Sequence, residues 1–257
     1  MVLFDSHAHL DDEKFAPDLD DVIARARAVG VEHILTVGAH PALWDRTVMI
    51  AERYPGVLAA VGCHAHDAKD FSPEIEARIR GYAAAGKLAA IGEMGLDYYY
   101  DRSPRDKQRE VLAHQLGMVV EIGLPVILHL RDSIPDALAI LRDFRNSGLR
   151  GVAHCFGGDA AAALALVEMG FFISFAGTLT FPKTDDLKAA AKAVPADRLL
   201  VETDCPFLAP QPVRGKRNEP AFVRHTLYEL AALRGLSADE AAALTTANAK
   251  RLFGVTS

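Results

Sequence analysis

The sequence contains no stretch of about 18 uninterrupted apolar residues, the length a membrane-crossing helix needs. Its first residues lack the basic segment, apolar core and small-residue cleavage site of a secretory leader. A soluble cytoplasmic protein is the resulting expectation. Cysteine is scarce: Cys63, Cys155 and Cys205 are odd in number and widely spaced, which argues against both a disulfide framework and a C-x-x-C redox or metal pair. There is no basic excess either. The formal net charge of -6 gives no global footprint for nucleic acid, although bound divalent cations invert the field at a local site. Low-complexity tracts, linkers and internal repeats are missing as well, so residues 1–257 read as one domain.

What the chain does have is alternation. Short apolar segments near residues 2–5, 33–37, 57–62, 88–92, 125–129, 151–154, 171–174 and 198–202 end in polar residues, with longer helical patterns between them. Over 105–122, for example, Leu112, Leu116, Val119 and Val120 fall on one helical face. Gly30, Gly86, Gly123 and Gly170 each stand just before a strand, where a helix C-terminal cap belongs. Eight strand-then-helix units in 257 residues match the size and rhythm of an α/β fold of the (β/α)8 TIM-barrel type. A doubly wound open sheet is the competing arrangement. Ser237-Ala238-Asp239-Glu240 has the form of a capping box and predicts an extra C-terminal helix, with Arg251-Leu252-Phe253 packing back on the barrel.

The metal-capable side chains follow this rhythm. His7 and His9 follow the first strand, His64 and His66 the third, and Glu93 the fourth, while His129, His154 and Asp204 close the fifth, sixth and eighth. In a barrel all strand C-termini face one mouth, so residues scattered along the chain converge there. Side chains two apart on a strand share a face, which lets His7 and His9 both look inward and turns Cys155 and Cys205 away from the ligands beside them. Neutral imidazoles with carboxylates suit a borderline or hard divalent cation without any thiolate. Four histidines and two carboxylates exceed what one catalytic ion needs. Two ions fit better: one on His7, His9 and Asp204, one on His129 and His154, with Glu93 bridging. Such a pair, about 3.5–4 Å apart, activates a water and stabilises attacking and leaving oxygens, which is phosphoester hydrolysis. The identity of the ions, Mg, Mn, Zn or Ni, is left open by this ligand set. His33, His40, His114 and His225 read as ordinary structural or surface histidines.

At these residues the chain resembles the TatD-related metal-dependent deoxyribonucleases. The motifs that carry the resemblance are DSHAHLD at 5–11, VGCHAHD at 61–67, AIGEMGLDYYY at 90–100, LPVILHLRD at 124–132, HCFGG at 154–158, VETDCPFL at 201–208 and TTANAKRLFG at 245–254. They run in order along nearly the whole chain. Cys63, Ala65 and Met94 depart from the family pattern without removing a coordinating group. The resemblance implies a TIM-type barrel with a two-metal centre that hydrolyses DNA phosphodiesters, often from the 3′ end of single strands. It implies metal ligation by His7, His9, Glu93, His129, His154 and Asp204, and a substrate pocket that includes His64 and His66; Glu93 as the bridge and Asp204 as the group that helps deprotonate the attacking water are the expected catalytic residues.

A nuclease must also grip phosphate and base. Arg214 and Arg217, in the basic loop after the eighth strand, are candidate phosphate ligands. Arg131, two residues past His129, should share its face, and Tyr98, Tyr99, Tyr100 and Phe156 are candidates to stack on terminal bases of single-stranded DNA. Asp5 is expected to orient His7 from behind. Two rivals stand beside this reading. One is an amidohydrolase acting on a small cyclic amide, lactone or deamination substrate, but the carboxylated lysine that bridges ions in many of those has no counterpart where Glu93 stands, since Lys87 lies at the other end of the strand. The other is a barrel that binds nucleic acid or a partner without turnover, which predicts lost ligands; all six are present.

Overall fold

The computed structural model describes residues 1–255. Eight strands, β1 (Leu3–Ala8), β2 (Val31–Gly38), β3 (Val57–Val61), β4 (Ala90–Asp97), β5 (Val126–Arg131), β6 (Gly151–Ala153), β7 (Phe171–Phe175) and β8 (Leu199–Val201), pair in parallel and in chain order. The helices between them are α1 (Leu19–Ala28), α2 (Trp44–Arg53), α3 (Pro73–Ala84), α4 (Arg105–Ile122), α5 (Ile134–Arg142), α6 (Ala160–Glu168) and α7 (Asp185–Ala193). After β8 come α8 (Val223–Arg234) and the extra α9 (Ala238–Phe253). Parallel pairing in strict order with a helix in every crossover is the (β/α)8 arrangement and leaves no role for a doubly wound sheet. Among the described residues no helix is long and apolar enough to cross a membrane.

The local signals act as their chemistry dictates. Gly123 caps α4 at φ 81°, and Gly30, Gly86 and Gly170 take the same left-handed region at the ends of α1, α3 and α6. The capping box forms in both halves: the Glu240 N–H donates to Ser237 Oγ at 3.2 Å, and the Ser237 N–H to Glu240 Oε2 at 2.8 Å. An inner apolar layer of Phe4, Leu35, Val37, Ala60, Ala90, Ile127, Val152, Phe172 and Leu200 fills the barrel, and Ala249, Leu252 and Phe253 of α9 pack against it from below. The Phe253 ring stacks on Phe4 at 5.7 Å. Each such buried Leu or Phe contributes about 1.5–3 kcal/mol, so α9 closes the bottom as part of the core. The opposite end is left to polar residues.

Two strands run farthest past their expected ends, and both departures build the mouth. β1 reaches Ala8 and so contains His7, and β4 continues through Glu93 to Asp97. Each carries a break in register, between Asp5 and Ala8 on β1 and between Ile91 and Met94 on β4. A bulge inserts a residue and re-aims the next side chain. On β4 it keeps Ile91 and Met94 in the outer core while Glu93 turns into the barrel. The glycines of G-E-M-G lie within the strand instead of ending it, because a Cβ on Gly95 would sit 1.9 Å from the His129 carbonyl oxygen. Strands β5, β6 and β8 keep plain alternation, from inward Ile127, Val152 and Leu200 to His129, His154 and Glu202 two residues on.

The seam between first and last strands closes at the mouth. The Asp204 N–H donates to the His7 carbonyl at 2.9 Å, the His9 N–H to the Cys205 carbonyl at 2.8 Å, and Ala8 bridges Cys205 in parallel. Closing the barrel therefore sets Asp204 beside His7 and His9. Non-glycine residues with positive φ also gather here: Asp101, Asp132, Cys155, Lys183, Asp204 and Leu208 all lie on segments that leave strand C-termini. Each costs about 1–2 kcal/mol, a cost that the packed barrel beneath can carry.

Candidate metal centre

The convergence expected from strand position is met at the atomic level. His7 Nε2 lies 3.3 Å from His9 Nε2, 3.5 Å from Glu93 Oε2 and 3.8 Å from Asp204 Oδ1. His9 Nε2 is 3.3 Å from Asp204 Oδ1 and 3.9 Å from Glu93 Oε2. Donors about 2.1 Å from a tetrahedral ion stand about 3.4 Å from one another, so these four side chains have the spacing of one ion's cage. A second cluster meets Glu93 from the other side. Its Oε1 is 2.7 Å from His129 Nδ1 and 2.6 Å from His154 Nε2, and those two nitrogens are 3.1 Å apart. One carboxylate thus divides its oxygens between two groups of candidate donor atoms.

Protein acceptors behind the imidazoles decide which nitrogens face the centre. His9 Nδ1–H donates to the Val37 carbonyl at 2.8 Å and His129 Nε2–H to Asp97 Oδ2 at 3.1 Å, while His154 Nδ1 lies 3.3 Å from Glu202 Oε1. Such contacts fix tautomer and ring orientation and raise ligand basicity. His7 Nδ1 and Glu202 Oε2 are buried without a partner, although His7, His154 and Glu202 offer atoms within 4.8 Å of one another. His64 differs in kind. Its Nδ1 accepts from the His66 N–H at 3.1 Å, so its proton sits on Nε2, 3.4 Å from Glu93 Oε1. That geometry makes His64 a hydrogen-bond donor into the centre.

Electrostatics agree with a site poised for cations. Burial and the nearby His154 lower the pKa of His7, and burial takes His64 down to about 4, so both stay neutral at neutral pH. Burial also opposes charge on His9, but Asp204 and Glu93 outweigh it and lift the pKa to about 9. Against the same burial, Asp97 and Glu93 raise His129, and Glu93 and Glu202 raise His154. Glu93, wholly enclosed, is held well below the usual carboxylate range by His154, His64 and His129 despite burial. A cation bound at these nitrogens would replace their protons and neutralise the same carboxylates.

Sequence reasoning passed over two carboxylates of this arrangement. Asp97 Oδ2 accepts from His129 Nε2 and, at 3.0 Å, from His66 Nε2, while its Oδ1 accepts from the Tyr99 and Tyr100 N–H groups at 3.0 and 2.8 Å. Glu202 is fully buried and also accepts from the Cys155 N–H at 2.8 Å. Strand parity was the available signal, since Asp97 stands four residues after Glu93 and Glu202 two before Asp204. Asp5, by contrast, does not reach the His7 ring. It accepts from the Thr203 N–H and hydroxyl at 2.8 and 2.6 Å and from the His7 N–H at 3.4 Å, and so pins the seam between first and last strands.

The centre opens into a cavity of 1560 Å3. His64, His66, Arg131 and Phe156 line it, as does His40. Several expected contacts fall elsewhere. Tyr98 turns outward, where its hydroxyl donates to Asp136 at 2.7 Å and Arg105 lies over its ring, and Tyr100 takes the place at the mouth. Phe156 is 2 % exposed and packs edge-on to Phe175, which leaves no free face for a base. Arg217 is committed to Asp18 through contacts of 2.8 and 2.7 Å, because the loop after β8 folds back along the segment before α1. Arg214 stacks on Phe181 at 3.9 Å; the ring lines the cavity and the guanidinium does not. Cys155, expected to face away, lines the cavity because its φ of 41° breaks the extended pattern after β6, while Cys205 is buried as expected.

Comparison with known proteins bears on this geometry. A family model described as TatD related DNase matches residues 4–254. The chain is 44% identical to the uncharacterised metal-dependent hydrolase YabD of Bacillus subtilis, over 99% of this chain and 100% of that protein. It is 34% identical to the 3′-5′ ssDNA/RNA exonuclease TatD of Klebsiella pneumoniae, over 98% of each. The crystal structure of YjjV, a TatD homologue of Escherichia coli K12, superposes with a TM-score of 0.93 at 28% identity, covering 99% of this chain and 98% of that one.

Proposed function

Because the chain belongs to the TatD related DNase family of metal-dependent hydrolases, we propose that it hydrolyses phosphodiester bonds of single-stranded DNA from the 3′ end, with two divalent ions per chain. The observation that carries this reading is Glu93: Oε1 faces His129 and His154 at 2.7 and 2.6 Å, and Oε2 faces His7 and His9 at 3.5 and 3.9 Å. A buried carboxylate divided in this way suits a bridge between two ions. Its place inside β4 also separates the chain from a lysine-bridged amidohydrolase centre, since Lys87 pairs with Glu52 at the opposite end of the barrel. Two divalent ions held by these residues would supply a nucleophile from water at neutral pH and Lewis-acid stabilisation of both oxygens in an in-line displacement.

The side chains divide the work. His7, His9, His129 and His154 present one nitrogen each to the centre, and Glu93 joins the two halves. Asp204, 13% exposed and open to the cavity, is positioned to take the proton from the attacking water. His64 offers its Nε2 proton to a phosphoryl oxygen, and Arg131 at the wall supplies fixed positive charge. Carboxylates nevertheless outnumber the three fixed cations of the cavity, Arg102, Arg131 and Lys183. A polyanionic substrate is repelled from such a wall until divalent ions offset it, so strand binding and chemistry share one requirement.

The test uses a 5′-labelled single-stranded oligonucleotide, with the protein stripped by chelator and then resupplied with Mg, Mn, Zn or Ni. A ladder shortening from the 3′ end, abolished by chelator and restored by ion, is expected. Intact substrate under every ion, or cleavage that survives chelation, refutes the reading.

A further inference from the structure

Two rings at the cavity mouth are exposed. Phe207 is 46% and Tyr100 50% exposed, and both line the cavity. They border different histidines of the mouth: the Phe207 ring lies 6.0 Å from His9, and the Tyr100 ring 5.6 Å from His66. Both are held by bonds that run into the centre itself. Fully buried Asn218 spans the Thr203 and Phe207 carbonyls at 2.8 and 2.6 Å, and the Phe207 N–H donates to the Asp204 carbonyl at 3.0 Å. The Tyr100 N–H is anchored on Asp97 at 2.8 Å. An exposed ring on a tethered backbone is pre-organised, so ordering it on binding costs little. Each also has a cation over its ring: Lys14 Nζ lies 4.9 Å from the Phe207 ring centre, and the Arg131 and Arg102 guanidinium carbons lie 4.9 and 5.3 Å from that of Tyr100, Arg131 being closer still, at 4.1 Å, to the neighbouring Tyr99.

We propose that Phe207 and Tyr100 hold two successive nucleotides of a single strand, one on each side of the bond cleaved, each base stacked on a ring and the adjoining phosphate met by the cation beside it. This rests on the phosphodiesterase reading above and adds its substrate specificity. Stacking on a ring needs an unpaired base and is tolerant of which base it is. The arrangement therefore selects single strands over duplexes and discriminates weakly among sequences. It also makes two nucleotides the smallest unit that engages both rings, and the cavity of 1560 Å3 exceeds the roughly 300–1,000 Å3 of sites for small ligands.

The experiment compares Phe207→Ala and Tyr100→Ala with the parent enzyme, loaded with ion, on an intact oligonucleotide and on two versions abasic at the terminal or the penultimate position. Each substitution is expected to raise KM on the intact strand by about five- to a hundredfold, with a smaller change in kcat. Removing a base and removing the ring that serves it should not add, and the two rings should pair with different positions. Phe207→Leu and Tyr100→Leu keep apolar bulk without an aromatic face, so they separate lost stacking from a disturbed loop. KM values within about twofold of the parent, or losses that add at both positions, overturn the proposal. Failure of the parent to cleave the intact strand with any ion removes the phosphodiesterase reading, and this inference falls with it.

Discussion

Asp97→Asn isolates what the residues behind the ligands contribute. His129 presents Nδ1 to the centre, 2.7 Å from Glu93, and so must carry its proton on Nε2, where Asp97 Oδ2 receives it at 3.1 Å. The same oxygen receives His66 at 3.0 Å, and the other oxygen receives two backbone N–H groups. An asparagine has one acceptor oxygen to offer both sides. If its oxygen faces the imidazoles, its amide opposes the Tyr99 and Tyr100 N–H groups; if it faces the backbone, two imidazole N–H groups meet an NH2. Hydrogen bonds to charged groups contribute about 1.5–3 kcal/mol, so losing one across this junction weakens metal affinity by about ten- to a hundredfold. Calorimetric titration of the ion-free variant with Mn or Zn, beside circular dichroism to establish that it folds, reads this directly. An affinity within about threefold of the parent, in a folded variant, would show that Asp97 does not set the tautomer of His129.

Other expectations rest on separate parts of the structure. Glu93→Gln removes the charge that faces both ligand groups, and elemental analysis of purified protein should find the content of both ions reduced together; loss of one ion alone contradicts the bridging role. In the ion-free protein His9 titrates near 9, so below that pH an incoming ion displaces a proton. Affinity should therefore rise with pH and level off above about 9, with proton release visible as a buffer-dependent binding enthalpy. The sign reverses for ion-free stability: a raised histidine stabilises fully below its unfolded value near 6.5, and the contribution is lost as pH climbs through about 9. Gly95→Ala forces a Cβ to 1.9 Å from the His129 carbonyl at a φ of 154°, and should destabilise by at least about 1–3 kcal/mol, lowering Tm by several degrees. An unchanged melting curve would mean that β4 and β5 can part there without cost.

Much of the fold was legible because its signals are local. Apolar segments of strand length, glycines at helix ends and the Ser-x-x-Glu box each depend on a few neighbouring residues, and β5, β6 and β8 keep the period of two that aims His129, His154 and Glu202 inward. The aromatic and basic residues of the mouth were less legible. Tyr98, Tyr99 and Tyr100 are equivalent in sequence, and the hydrogen bonds of Asp97 and Asp136 set which ring reaches the cavity. Arg217 looked free until the loop that carries it folded against Asp18.

The sequence by itself determined which chemical groups arrive at the mouth and on which strands, because ligand type and strand order are written residue by residue. Tertiary structure alone decided how they meet. Bulges in β1 and β4 add a residue to a strand and so override the parity that a sequence pattern assumes. The closing seam brings Asp204 to His7 across almost the whole chain. The acceptors behind His9, His129 and His154, which are Val37 of β2, Asp97 of β4 and Glu202 just past β8, come from different parts of the barrel and select the nitrogen that faces the centre. Proximity between residues remote in sequence follows from barrel closure and packing, which only the folded chain possesses.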